Sequence, residues 1–216
     1  TGYGKLLLFH NQGDGTFLEI ARQAKLDNSL WSTSAGWGDF NADGLLDLYV
    51  CNYVNWSFAN HPHCAGADVG TTEICPPKQF DPLPDAIYYN NGDGTFRNAA
   101  KEAGLRIDGK GLGVMLADVN LDGHLDIYVA NDTTDNFLYL NDGKGVFKEV
   151  GLLHSVALDN SGAPNGSMGV DVGDYNGDGM PDIWVANYEQ ESFALYENVG
   201  KGTFLHVSDK AGVTAL

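Results

Sequence analysis

The sequence predicts an all-β fold, a β-propeller of four-stranded blades of which this chain holds about three and a half. A nine-residue motif, Asp-x-Asn-x-Asp-Gly-x-x-Asp, occurs three times. A second, Asn-x-Gly-x-Gly-x-Phe, occurs four times and alternates with it. Short runs rich in β-branched and aromatic residues flank both. Tandem units of about 50 residues with the same turn chemistry suit propeller blades, whereas a β-sandwich would not repeat its turns at this period.

The elements follow in order. Residues 1–26 predict a half blade: a strand at Leu7-Leu8-Phe9, a turn on Asn11, Gly13 and Gly15, and a strand led by Phe17. The stretch 27–105 predicts a full blade. Ala35-Gly36-Trp37-Gly38 precedes the Asp motif at 39–47, Leu48-Tyr49-Val50 follows it, and Ile87-Tyr88-Tyr89 leads through Asn90, Gly92 and Gly94 to Phe96. In 106–158 the same places are taken by Val114-Met115-Leu116-Ala117, the motif at 118–126, Ile127-Tyr128-Val129, Phe137-Leu138-Tyr139, the turn at Asn141 and Phe147. In 159–216 they are Val170-Asp171-Val172-Gly173, the motif at 174–182, Ile183-Trp184-Val185, Ala194-Leu195-Tyr196, the turn at Asn198 and Phe204. An Asn-x-Gly-x-Gly turn between two apolar runs is a hairpin signal. With four such turns and only three Asp motifs, the count predicts an open arc: part of a longer polypeptide, or a subunit whose neighbours complete a ring or fibre.

One blade is longer. Asp126 and Asp182 precede the turn residues Asn141 and Asn198 by 15 and 16 positions, but Asp47 precedes Asn90 by 43. The extra residues form an inserted loop, 52–85, with five of the seven prolines and with His61, His63, Cys64 and Cys75. It has too few aliphatic residues to pack well. A Cys64–Cys75 disulfide is the favoured reading and fits an exported protein. The rival is a zinc site from His61, His63, Cys64 and Cys75, whose spacing matches no common zinc signature. Cys51 stands where the sister repeats have Ala130 and Ala186, so it predicts a small core thiol.

Charge narrows the function. Twenty-nine Asp and Glu against 12 Lys and Arg give a formal net charge of −17 over 216 residues. That excludes a basic nucleic-acid footprint. No apolar run reaches the ~18 residues of a membrane span. The 43% apolar content supports a packed core. The chain begins at Thr1 without Met or a signal-like stretch, as a mature or trimmed product would.

Much of the acidity sits in the Asp motifs. Side chains at positions 1, 3 and 5 of a tight loop converge, Gly at 6 allows the turn, the carbonyl at 7 adds an oxygen, and a later carboxylate closes the shell. The predicted ligand sets are Asp39, Asn41, Asp43, the Leu45 carbonyl and Asp47; Asp118, Asn120, Asp122, the His124 carbonyl and Asp126; and Asp174, Asn176, Asp178, the Met180 carbonyl and Asp182. Turns alone do not need three mutually repelling carboxylates in nine residues. Hard oxygen donors select Ca²⁺, and Mg²⁺ fits an all-protein cage less well. About three structural Ca²⁺ ions are expected.

The Asp loop running into Asp-Leu/Ile-Tyr/Trp-Val-x-Asn resembles the FG-GAP/VCBS repeat of integrin-α-type propellers. Val129-Ala130-Asn131-Asp132-Thr133-Thr134 leading to Asn136-Phe137-Leu138-Tyr139 is more closely similar to the ASPIC/UnbV, or cartilage-acidic-protein-like, family. Asn90-Asn91-Gly92-Asp93-Gly94-Thr95-Phe96 with Ala103-Gly104-Leu105, Ser167-Met168-Gly169-Val170-Asp171, and Cys64 with Cys75-Pro76 point the same way. The resemblance implies an extracellular or cell-surface calcium-binding propeller without established catalysis.

No Gly-x-Ser-x-Gly, His-Glu-x-x-His or phosphate loop is present in the sequence, and the histidines outside the insertion are scattered, so no catalytic residue is assigned. The expected function is adhesion, matrix or surface assembly: binding a protein or glycan ligand, or neighbouring subunits, outside the cell, on its surface or in a periplasm. The alternative is the non-catalytic propeller part of a polysaccharide lyase or hydrolase.

Overall fold

The computed structural model describes residues 3–66, 70–189 and 191–214. Its strands form one two-stranded and three four-stranded antiparallel sheets, each with its strands in chain order. The pair is β1 (Phe9–Asn11) and β2 (Phe17–Glu19). The first full sheet runs β3 (Ser32–Gly38), β4 (Asp47–Asn52), β5 (Ala86–Asn90) and β6 (Phe96–Asn98). The second runs β7 (Gly111–Ala117), β8 (Asp126–Asn131), β9 (Phe137–Asn141) and β10 (Phe147–Glu149). The third runs β11 (Ser167–Gly173), β12 (Asp182–Asn187), β13 (Ala194–Asn198) and β14 (Phe204–His206). A single helical turn, α1 (Ser208–Ala211), follows.

These sheets are propeller blades. Their first strands lie against one another, β3 on β7 and β7 on β11. Glycine permits that approach: a Cβ on Gly113 in β7 would stand 2.7 Å from the Met168 carbonyl oxygen of β11. Every residue of β4 and of β8 is buried. Strand side chains alternate between faces, and a blade has a neighbour on each face, so these strands read as continuous apolar runs.

The core therefore lies between blades, in three clusters. Leu48, Val50, Ala86 and Tyr88 face Leu6, Ala24 and Leu26 of the leading unit. Tyr49, Cys51, Ile87 and Tyr89 turn the other way and meet Ile127, Val129, Phe137 and Tyr139. Tyr128, Ala130 and Leu138 meet Ile183, Val185, Ala194 and Tyr196. The alternation leaves two faces without a blade. Trp184 occupies the place of Tyr49 and Tyr128, both fully buried, yet is half-buried beside Phe193 at 5.5 Å. On the leading unit Phe9 and Phe17 are exposed, while their counterparts Tyr88 and Phe96 are buried.

One strand differs from expectation. The leading pair begins at Phe9, so Leu7 and Leu8 stand outside it. In the full blades the third strand starts earlier because the second strand pairs with it, as in Val50 with Ala86. In the described residues β1 pairs only with β2, and a single Ile20 N–H to Leu8 O bond of 2.8 Å extends the contact.

Candidate metal centre

The three Asp loops join the first and second strand of each full blade and share one hydrogen-bond pattern. In the first, Asp39 accepts the Asp43 N–H at 3.1 Å and the Gly44 N–H at 2.9 Å. Asn41 accepts the Asp43 N–H at 3.1 Å and donates Nδ2–H to Asp43 Oδ2 at 2.9 Å. Asp43 Oδ1 accepts the Leu45 N–H at 2.8 Å. Asp118, Asn120, Asp122 and the His124 N–H repeat these bonds, as do Asp174, Asn176, Asp178 and the Met180 N–H. Short polar side chains that bond the backbone two to five residues on fold such a loop locally. The fourth position is left-handed in all three, at φ 58° on Ala42, 59° on Leu121 and 78° on Gly177.

The ninth carboxylate does something the sequence reading did not anticipate. Asp47, Asp126 and Asp182 are buried. Asp47 Oδ2 accepts the Phe40 N–H at 3.1 Å, and its Oδ1 accepts the Asn90 N–H at 2.8 Å. Asp126 bridges Val119 and Asn141 in the same way, and Asp182 bridges Tyr175 and Asn198. Each thus clips the start of its loop to the third strand of its blade. Burial holds Asp126 up at about 6, helped by the charges of Asp122 and Asp118 and opposed by its two amide donors. Asp47 is raised for the same main reason, burial. The exposed Asp174 goes the other way, lowered first by the Gly179 N–H. Among the described residues no three His, Cys, Asp or Glu side chains converge as a ready-made metal group.

The turn asparagines are the functional residues that the sequence reading treated as turn formers only. Asn141 donates Nδ2–H to the Leu125 carbonyl of its own loop at 3.0 Å and to the Phe40 carbonyl of the preceding blade at 2.9 Å. Asn198 does the same with Pro181 at 3.1 Å and Val119 at 2.8 Å. Its own Oδ1 accepts the Gly200 N–H at 3.0 Å. One amide therefore holds a turn, a loop and the neighbouring blade. Their fixed place 15 or 16 positions after the Asp motif was the available signal. Asn198→Ala should lower unfolding free energy by roughly 2–4 kcal/mol, because two buried carbonyls lose their donor. Urea denaturation that shows less than about 1 kcal/mol lost would mean that water replaces the amide.

The donor set fits a hard cation in its chemistry. Each loop offers oxygens from Asp, Asn, Asp and a backbone carbonyl on a largely solvent-facing turn, with a third carboxylate beneath. These oxygens take backbone N–H donors in the structure, and a carboxylate or amide oxygen keeps a second lone pair.

In the insertion, Cys64 and Cys75 are joined in a disulfide with a Cα–Cα distance of 5.3 Å. That removes both thiolates from the zinc alternative. His61 is engaged as well, its Nδ1 accepting the Trp56 Nε1–H at 2.7 Å. Cys51 is free and buried, and burial pushes its thiol well up. No helix among the described residues is long and apolar enough to cross a membrane.

Comparison with known proteins agrees with the repeat reading. The FG-GAP-like repeat family matches residues 1–50, 81–129 and 118–185, which leaves out most of the insertion. Human cartilage acidic protein 1 is 33% identical over 168 residues, covering 59% of this chain and 24% of the relative. The mouse protein of the same name is 28% identical over 168 residues, covering 59% and 25%. The chain spans about a quarter of the length of these relatives. With alternating loop and turn motifs, stacked four-stranded blades and the family match over most of its length, the chain belongs to the FG-GAP-like repeat family.

Proposed function

We propose that this chain is a section of an extracellular β-propeller that binds Ca²⁺ in its three Asp loops and serves adhesion or assembly rather than catalysis. The observation that carries the reading is the loop itself, folded three times into the same oxygen-rich turn by the same internal bonds. Three carboxylates within nine residues repel one another, and a bound cation offsets that cost. The ions are structural in this reading: they tie the turn between first and second strand and neutralise clustered charge. The disulfide supports an oxidising compartment. Similarity to cartilage acidic protein 1 supports a role outside the cell.

The partners would be a protein or glycan ligand met by the loops and the insertion, or neighbouring blades. The half-buried Trp184 and the exposed Phe9 and Phe17 support the latter, because their counterparts in the other blades pack into a neighbour.

Equilibrium dialysis tests the metal reading directly. About three Ca²⁺ should bind per chain with affinities of roughly 10⁻⁴ to 10⁻³ M, as in other extracellular modules. Asp43→Ala, Asp122→Ala and Asp178→Ala should each remove one. Fewer than two ions bound to the unaltered chain would sink the proposal.

A further inference from the structure

The insertion builds an aromatic cavity that the calcium reading leaves unused. It has a volume of about 350 Å³ and is walled by Trp31, Tyr53, Trp56, Pro77 and Phe80, with Ile74 on its rim. The rings stand at steep angles to one another. Trp31 meets Tyr53 at 89° with centroids 5.4 Å apart, and Trp56 at 62° and 5.6 Å. The wall continues outward through Phe58, 84% exposed and 5.0 Å from Trp56. These residues come from the position just ahead of β3 and from both halves of the insertion, which the Cys64–Cys75 disulfide ties to each other.

We propose that this cavity binds a quaternary ammonium group of the choline kind. Two polar atoms of the wall are already engaged within the chain. The Tyr53 hydroxyl donates to Asp132, and the Trp56 Nε1–H donates to His61. With those groups engaged, what the wall presents to a ligand is mostly aromatic and aliphatic carbon, with the His61 ring among it. Such a surface attracts a positive charge through the ring quadrupoles. A phenol that donates to a carboxylate gains ring electron density, which strengthens the attraction at Tyr53.

The surrounding charge has the matching sign. Among the described residues the insertion carries Glu73 and Asp81 against Lys78, on a chain of net charge −17. Lys110, behind the wall, is buried, with its Nζ donating to the Pro77 carbonyl at 2.8 Å; burial weakens its hold on its proton, and Asp132 and Asp81 oppose that. An anion would enter against this field. A sugar or a primary ammonium would seek hydrogen-bond partners that Tyr53 and Trp56 have already committed elsewhere. A quaternary ammonium carries no N–H and needs none, so its charge is satisfied by π faces and the field alone.

The test compares choline chloride with 3,3-dimethyl-1-butanol, its uncharged carbon isostere, by NMR titration of the tryptophan indole signals in the unaltered chain. Choline should shift the Trp31 and Trp56 signals saturably below about 50 mM, and the isostere should bind at least about tenfold more weakly. Trp56→Phe, which keeps a ring and the local packing, should weaken choline binding a few-fold, and Trp56→Leu about tenfold or more. If Trp56→Leu loses the fold of the insertion, the unaltered chain and Trp56→Phe still decide. No saturable shift, equal affinity for the isostere, or shifts confined to Trp37 and Trp184 would overturn the assignment. Tighter capture of neutral glycans than of choline would overturn it too, and would point to a sugar platform.

Discussion

Removing calcium with a chelator should lower the melting temperature of this chain by about 10 °C or more. A ligand that binds only the folded state stabilises it by RT ln(1 + [L]/Kd). At about 5 mM Ca²⁺ and a Kd of 10⁻⁴ to 10⁻³ M, one site contributes roughly 1–2 kcal/mol and three sites roughly 3–7. For a domain of this size each kcal/mol moves the midpoint by about 2–4 °C. The ions also remove a penalty that the loops carry by themselves, since Asp122 and Asp118 help to hold the buried Asp126 at about 6. Asp43→Asn, Asp122→Asn and Asp178→Asn keep the acceptor for the next amide and lose one charge. Each should cancel about a third of the calcium effect. Scanning calorimetry with Ca²⁺, Mg²⁺ or EDTA is the measurement. Identical midpoints in Ca²⁺ and EDTA, or full rescue by Mg²⁺, would count against Ca²⁺ sites.

Local chemistry explains what could be read in advance. The Asp motifs and Asn-Gly turns are folded by side chains reaching two to five residues along the chain, so the sequence carries them whole. Strands follow from those turns because the apolar runs between them are short and alternate. The ninth Asp was different. For Asp47 one partner, Phe40, lies within the motif, but the other, Asn90, is 43 positions away across the insertion. A carboxylate in such a motif reads as a ligand, and only the packed blade shows it clipping loop to strand. The aromatic cavity was hidden for the same reason: Trp31, Tyr53 and Phe80 meet only once the insertion folds back on β4. The disulfide was legible because composition left the insertion little else to hold it.

The insertion also brings Asp85 into the core of its blade, and replacing it with asparagine should raise stability at neutral and alkaline pH. Asp85 is buried, with Oδ1 accepting the Asn52 N–H at 2.7 Å and Oδ2 accepting the Tyr49 hydroxyl at 2.8 Å. Burial pushes its carboxyl up to about 7, against the lowering effect of those two donors. A folded-state value above the unfolded one means that the native chain holds the extra proton between about pH 4 and 7. Stability from this group is therefore greatest at low pH, falls as pH rises through that window, and is fully lost above it. A shift from 3.8 to about 7 corresponds to roughly 4 kcal/mol at most. The next blade already uses the neutral residue. Asn136, just ahead of β9 as Asp85 is ahead of β5, accepts the Asn131 N–H at 2.8 Å. Asp85→Asn keeps an oxygen for the Asn52 N–H, and its Nδ2–H can donate to the Tyr49 oxygen once that hydroxyl rotates. The variant should melt several degrees above the parent at pH 8, with the gap closing toward pH 4–5. Melting curves that stay parallel from pH 4 to 8 would show that Asp85 is ionised in the folded chain throughout.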